Sequence, residues 1–238
     1  MKSAAEAYDE WHEKHDSDDV AHDSPWHRMV KARLRQDIDI ASKVVLEIGC
    51  GRGGFANWLA ASSNPPRRLI AADFSPLAVQ MAKAHAERVG VKGVDWQVQD
   101  LSALKLDDQS IDTAISFETI EHVPCPRTAV AELARVLKPG GRLYLTTPNY
   151  CSSVGLYRVY CYLRGKTFDE GGQPICHLTY LSKTRRWIGD AGLELIDWTT
   201  CGQYLPIPGR PPIDMRWAES PKVFMKYFGL HSLVVATK

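Results

Sequence analysis

Three carboxylates and a cluster of glycines stand at intervals that could hold a charged nucleoside. Gly49-Cys50-Gly51-Arg52-Gly53-Gly54 has the pattern G-x-G-x-x-G, after a short apolar run and before a helical one. Glycines at such a turn let the backbone bend tightly and let a ligand approach where a Cβ would clash. Glu47 lies two residues before the first glycine, so its carboxylate can point toward the loop. Asp73 follows Gly54 by 19 residues, in AADFSP, where an acid can accept from two vicinal ribose hydroxyls. Its plainer role is a charge at the N-terminus of a helix that opens at Pro76. Asp100, in VQDL, could accept from an adenine amino group.

Glu47 separates the ligands such a loop can take. A dinucleotide would bring a pyrophosphate there, which an acidic neighbour repels. A ligand with a cationic amino group and a sulfonium is attracted instead, and S-adenosylmethionine (SAM) is such a ligand. A tight turn with no ligand would account for the glycines alone. It would not account for acids at the ends of three successive strands, the rim where open α/β sheets bind ligands.

Glu118, Glu121 and His122 fall within five residues. An imidazole there suits a general base near neutral pH. His122 could equally contact the cofactor or brace a loop. The same trio could ligate a divalent ion or form a solvated loop edge. Near the N-terminus Tyr8, Trp11, His12 and His15 share helical spacing, as a lid over the site or as a packed amphipathic helix. Tyr150, Tyr157, Tyr160 and Tyr162, with Arg158, Arg164 and His177, could recognise an acceptor or form an aromatic packing element.

The elements that must position these groups follow from periodicity. PWHRMVKARLRQDI (25–38) has helical spacing, with Pro25 in the first turn and Ser24 as a possible cap. VVLEIG (44–49), RLIAAD (68–73), VDWQVQD (94–100), IDTAISF (111–117) and RLYLTTP (142–148) read as strands. Between them GFANWLAAS (54–62), PLAVQMAKAHAERVG (76–90) and PRTAVAELARVLKPGG (126–141) read as helices. Alternation of near-continuous apolar strands with helices predicts a parallel α/β sheet covered on both faces. An irregular insert is expected at about 149–180, then a helix (181–193) and a strand, ELIDWTTC (194–201). The proline-rich PIPGRPP (206–212) precedes a final strand, HSLVVAT (231–237).

Composition narrows the classes. With 238 residues, 45% hydrophobic and 24% charged, the chain is neither disordered nor membrane-embedded, and one core can carry it. No apolar run approaches the roughly 18–20 residues a membrane helix needs. The acidic N-terminus is not expected to be a signal peptide. Twenty-nine basic against 28 acidic residues leave a net charge of +1, which argues against a nucleic-acid partner. The six cysteines are irregularly spaced and form no C-x-x-C pair, so reduced thiols in the cytoplasm are expected rather than a zinc site.

Taken together, VVLEIGCGRGG, AADFSP, VQDL, SFETIEHVPCP and VLKPGGRLYLTTPN resemble class I SAM-dependent methyltransferases over about residues 40–148. FETIEHV followed by a helix and LKPGG resembles the ubiquinone-biosynthesis O-methyltransferases and related small-molecule enzymes. The resemblance implies a Rossmann-like seven-stranded sheet, helices on both faces, with the last strand antiparallel. It implies that Glu47, Gly49 and Gly51 line the methionine end of SAM and that Asp73, followed by Phe74, holds the ribose. Asp100 and Leu101 would flank the adenine, and Phe117 and Glu118 would border the reactive end. Ubiquinone-type relatives also suggest the divalent ion. The N/D-P-P-Y/F element of amine-directed DNA enzymes is missing, since SFET stands in its place.

The expected protein is therefore a cytoplasmic SAM-dependent methyltransferase of a small-molecule acceptor at a hydroxyl oxygen. Residues 1–42 would form a helical lid segment and 43–238 the catalytic domain. His122 is the candidate catalytic residue; Tyr8, Trp11, Tyr157 and His177 are candidate acceptor contacts. Transfer to nitrogen, sulfur or carbon, or SAM binding without turnover, are the alternatives. Sequence does not fix the oligomeric state.

Overall fold

The computed structural model of the chain describes residues 4–14, 20, 22–167, 173–205, 213–215 and 227–238. His15 and the PIPGRPP stretch lie outside them.

Seven strands make one sheet: β1 (Val44–Ile48), β2 (Arg68–Asp73), β3 (Val94–Val98), β4 (Ile111–Ser116), β5 (Leu137–Pro148), β6 (Glu194–Cys201) and β7 (His231–Thr237), in the order 3-2-1-4-5-7-6. The first five pair in parallel, whereas β7 inserts antiparallel between β5 and β6. The expected sheet, with its antiparallel last strand, is borne out. β1 is buried along its whole length because both faces are covered. Leu46 and Ile48 face a core completed by α5 (Pro126–Val136) and α7 (Leu181–Asp190), through residues such as Leu133 and Ile188. Val45 faces a second core with Met29 and Val30 of α2 (Pro25–Lys31) and Phe55 and Leu59 of α3 (Gly54–Ala60).

Two further helices flank the ligand rim. α4 (Pro76–Arg88) begins at Ser75, whose hydroxyl caps it by accepting from the Ala78 N–H at 3.0 Å. Helix α1 (Ala4–Lys14) lies against α4. The strand order reverses at β1, which has β2 on one side and β4 on the other. The crevice beyond the carboxyl ends of β1 and β4 is where such a sheet takes its ligand.

Three elements differ from expectation. The helix read over 126–141 ends at Val136, and Leu137 already pairs with Ile111 as strand. Pro139 disfavours helical geometry at Lys138, whose ammonium instead meets Asp112 at 2.8 Å. The helix from Pro25 stops at Lys31, and a separate π-turn (Gln36–Ile40) follows. That turn is set by the buried Asp39 carboxylate, which accepts from the Arg35 N–H and the Tyr144 hydroxyl, each at 2.8 Å. The 149–180 insert is not wholly irregular, since α6 (Ser153–Leu163) forms within it. Its Leu156, Tyr157, Val159, Tyr160, Tyr162 and Leu163 are all exposed, so no buried stripe marks it as a helix in the sequence.

Candidate active site

The glycine loop leaves β1 in a conformation only glycine adopts readily. Gly49 and Gly51 have φ of +78° and +49°. A Cβ on Gly49 would come within 2.1 Å of the Thr119 hydroxyl, so the loop lies flush against the segment after β4. A Cβ on Gly51 would meet nothing within 4 Å, because Gly51 faces open space. That space is a cavity of about 350 Å³ lined by the glycine loop, Glu47, Phe117, Glu118, Trp11, Trp26 and His27, among others. Its size lies at the small end of the range for small-molecule sites.

Glu47 is 2% exposed and its Oε2 makes no hydrogen bond among the described residues. Burial, reinforced by the neighbouring Asp73 charge, pushes its carboxyl up to about 8. An acid raised in this way is short of a cation. His27 is also buried against the cavity, stacked on Phe55 and edge-on to Phe117. Burial first, then the Lys31 charge, lowers its pKa to about 4, so it is neutral through the physiological range.

Asp73 sits at the end of β2, nearly buried. Its Oδ2 accepts from the Gly51 N–H at 2.9 Å and its Oδ1 from the Ser75 N–H at 3.0 Å. It thereby ties the glycine loop to the start of α4, and burial raises its pKa. Helix α1 covers this junction: Ser75 Oγ donates to Asp9 Oδ1 at 2.5 Å, Arg52 donates to the His12 carbonyl at 3.2 Å, and the Tyr8 ring meets Phe74 edge-on at 4.9 Å.

Of the residues singled out in the sequence, Trp11, His12, Glu47, Gly49, Gly51, Phe117 and Glu118 line the cavity. The others stand elsewhere. Asp100 is exposed and starts a turn by accepting from the Ser102 N–H at 2.7 Å. The Leu101 side chain packs into the core, so only its backbone can face a ligand. Tyr8 and His122 converge on one carbonyl, that of Ile175, with the Tyr8 hydroxyl at 3.2 Å and His122 Nδ1 at 2.7 Å. His122 Nε2 lies 3.6 Å from Glu121, and the His177 N–H donates to the Glu121 carbonyl at 2.8 Å. This group fastens the far arm of the insert to the loop after β4.

Tyr157 is not brought into the site. It is stacked with Tyr160 at 6.1 Å on one face of α6, and Leu156, Val159 and Tyr162 form a second. That second face borders a larger cleft of about 860 Å³, closed by Tyr150, Gln203, Tyr204, Met215 and Phe228. Among the described residues no group of three or more His, Cys, Asp or Glu side chains gathers where it could hold a metal ion. Glu118 instead accepts from His231 Nδ1 at 2.8 Å. Trp26, His27 and His231 were missed in the sequence because each reads there as part of a helix or strand.

Comparison with known proteins bears on this geometry. Residues 46–145 match a methyltransferase-domain family. A ubiquinone biosynthesis O-methyltransferase of Coxiella burnetii is 30% identical over 182 residues, covering 74% of this chain and 75% of that protein. The chain belongs to the SAM-dependent methyltransferases. Two solved structures share the fold of this methyltransferase. One, from Thermotoga maritima, is described as a possible histamine N-methyltransferase (19% identity, TM-score 0.66, 99% of this chain and 100% of that one). The other is a putative methyltransferase in complex with the Trm112 activator of Haloferax volcanii (23% identity, TM-score 0.64, 98% and 95%).

The site fits the cofactor of this family. The orphaned Glu47 oxygen suits a cationic amino group, and the cradle at Gly51 has the room a side chain would fill. A titration follows. In the ligand-free methyltransferase Glu47 keeps its proton up to about pH 8. A cationic ligand favours the carboxylate, so binding should release a proton and tighten as pH rises from 6 to 8, by at most about tenfold per unit. Calorimetry of SAM binding in buffers of different ionisation enthalpy measures that proton. Glu47→Gln should abolish the release, and a wild type that releases none removes Glu47 from the amino-group site.

Proposed function

We propose that this methyltransferase transfers a methyl group from SAM to a hydroxyl oxygen of a small molecule with an apolar body. The observation that carries the reading is the larger cleft beneath α6, which lies past the carboxyl end of β5 as the cavity at Glu118 lies past that of β4, its parallel neighbour. The larger cleft is walled by tyrosines, Leu156, Val159, Met215 and Phe228, which suits an aromatic or aliphatic acceptor. SAM, when bound, supplies a methyl carbon activated by a sulfonium. The chain supplies alignment and exclusion of water, which can be worth several kcal/mol. In this reading Glu47 holds the amino group, Gly49 and Gly51 give the methionine end its room, Asp73 takes the ribose, and Asp100 with the Leu101 backbone flanks the adenine. Phe117 and Glu118 border the transferring methyl, and α1 covers the site. Arg158 beside the same cleft would accommodate an anionic substituent on the acceptor. The six cysteines carry free thiols, in keeping with a cytoplasmic enzyme.

The experiment is release of S-adenosylhomocysteine with a panel of phenols, alcohols, amines and thiols, with product masses and with EDTA present and absent. Phenols or alcohols should turn over best, and those with an apolar substituent should have the lower KM. Turnover confined to amines or thiols would replace the oxygen reading. Cofactor binding with no turnover on any acceptor would leave a binding protein.

A further inference from the structure

One histidine touches wall residues of the cofactor cavity, and it is not the one the motif suggests. His231 opens β7, where its cross-strand neighbours are Pro148 of β5 and Cys201 of β6. Two residues beyond each of these neighbours stand Tyr150 and Gln203, which line the large cleft. On its other side the His231 ring packs against Trp26, centroids 4.8 Å apart, and its Nδ1 donates to Glu118 Oε2 at 2.8 Å. Trp26 and Glu118 both line the cofactor cavity. The imidazole thus links two wall residues of the cofactor cavity to the strands that lead into the large cleft.

Its chemistry is set by the partner. A carboxylate can only accept, so Glu118 fixes the proton on Nδ1 and leaves the lone pair of the neutral ring on Nε2. The imidazole remains partly accessible, with 21% of its side chain exposed. Glu118 has φ +45°, a left-handed conformation uncommon for a residue with a Cβ, held by bonds from its N–H to the Thr146 carbonyl and hydroxyl at 3.2 and 3.1 Å. Strain of this kind gathers at sites where a side chain must be aimed. Its Oε1 has no hydrogen-bond partner and is left to polarise the cavity wall. His122, by contrast, spends Nδ1 on Ile175 and turns Nε2 toward Glu121, away from either cleft.

We propose that His231, oriented by Glu118, is the base that takes the proton from the acceptor hydroxyl. The inference rests on the oxygen-transfer reading. The O–H bond breaks to Nε2 as the oxygen pair forms the bond to the methyl carbon. The carbon–sulfur pair returns to sulfur, and the proton then passes from the imidazolium to solvent. A base in this position contributes about 10²–10⁴-fold.

Two arms test it. Imidazole ¹⁵N spectra of the ligand-free protein and of its S-adenosylhomocysteine complex need no acceptor. They should show the neutral ring of His231 with Nδ1 protonated and Nε2 bare. The opposite tautomer overturns the proposal whatever the acceptor is. In the second arm, His231→Ala and His231→Gln should each lower kcat by about 10²–10⁴-fold on the best phenol or alcohol, with S-adenosylhomocysteine affinity within a few-fold. Added imidazole should restore part of the alanine variant's rate. Glutamine can keep the bond to Glu118 but cannot act as a base, so near-wild-type turnover in His231→Gln reduces His231 to packing. Loss of turnover in His122→Ala with turnover retained in His231→Ala gives the role to His122 and overturns the proposal. A wild type that turns over only amines or thiols defeats the oxygen reading itself, which the tautomer measurement separates from a failure of His231.

Discussion

Replacing Asp73 with alanine should weaken SAM binding by roughly 10–150-fold, the largest single-residue effect expected on cofactor affinity. The estimate takes charge-assisted bonds to two ribose hydroxyls as worth about 1.5–3 kcal/mol. A second contribution comes from the protein itself. Asp73 is the acceptor that joins the Gly51 N–H to the Ser75 N–H, so its loss loosens the loop that forms the cavity floor. The two contributions can be told apart. Asp73→Asn keeps one acceptor oxygen for the loop and loses the charge, so it should bind SAM more weakly than wild type but more tightly than the alanine variant. Calorimetry gives the affinities, and thermal unfolding without ligand gives the cost to the loop, about 1–3 kcal/mol for buried donors left unmet. An unchanged dissociation constant in Asp73→Ala would exclude the ribose role and leave Asp73 as a loop staple.

Much of this site could be read from the chain because its parts are local. β2, β6 and β7 run as expected from the sequence, since each is a short apolar run closed by polar or turn residues. Glu47, Gly49 and Gly51 were legible because a strand, a turn and a helix follow one another within about a dozen residues. What was not legible depends on distant pairing. Glu118 and His231 are 113 residues apart and meet only because β7 inserts between β5 and β6. No periodicity in HSLVVAT distinguishes its first residue from the start of any strand. Trp26 and His27 fall in a segment of helical spacing, which does not by itself say that His27 is buried. That it is buried against the cavity depends on how α2 crosses the sheet. The bond of His122 to Ile175, 53 residues away, is likewise invisible in the sequence, where only Glu118 and Glu121 stand near it.

Removing residues 1–14 should leave a folded domain that loses S-adenosylhomocysteine at least about tenfold faster and turns over about 10²-fold more slowly. The fold should survive because Tyr8, the residue of α1 most deeply buried among hydrophobics, belongs to neither core. An 11-residue helix has little stability of its own. Its contacts with the domain include Tyr8 to Ile175 and Phe74, Asp9 to Ser75, and the His12 carbonyl to Arg52. A short helix outside both cores opens at lower free energy than the sheet beneath it. Those contacts nonetheless reach the insert, the junction at Asp73 and the glycine loop together, and Trp11 and His12 form part of the cavity wall. Asp73 is only 6% exposed, and α1 packs on the two residues that follow it, Phe74 and Ser75. The helix thus stands where it would both admit the cofactor and shield the methyl group from water. Stopped-flow displacement of S-adenosylhomocysteine measures the first effect and steady-state turnover the second. A truncated protein with the wild-type dissociation rate and full activity would show α1 to be packing alone.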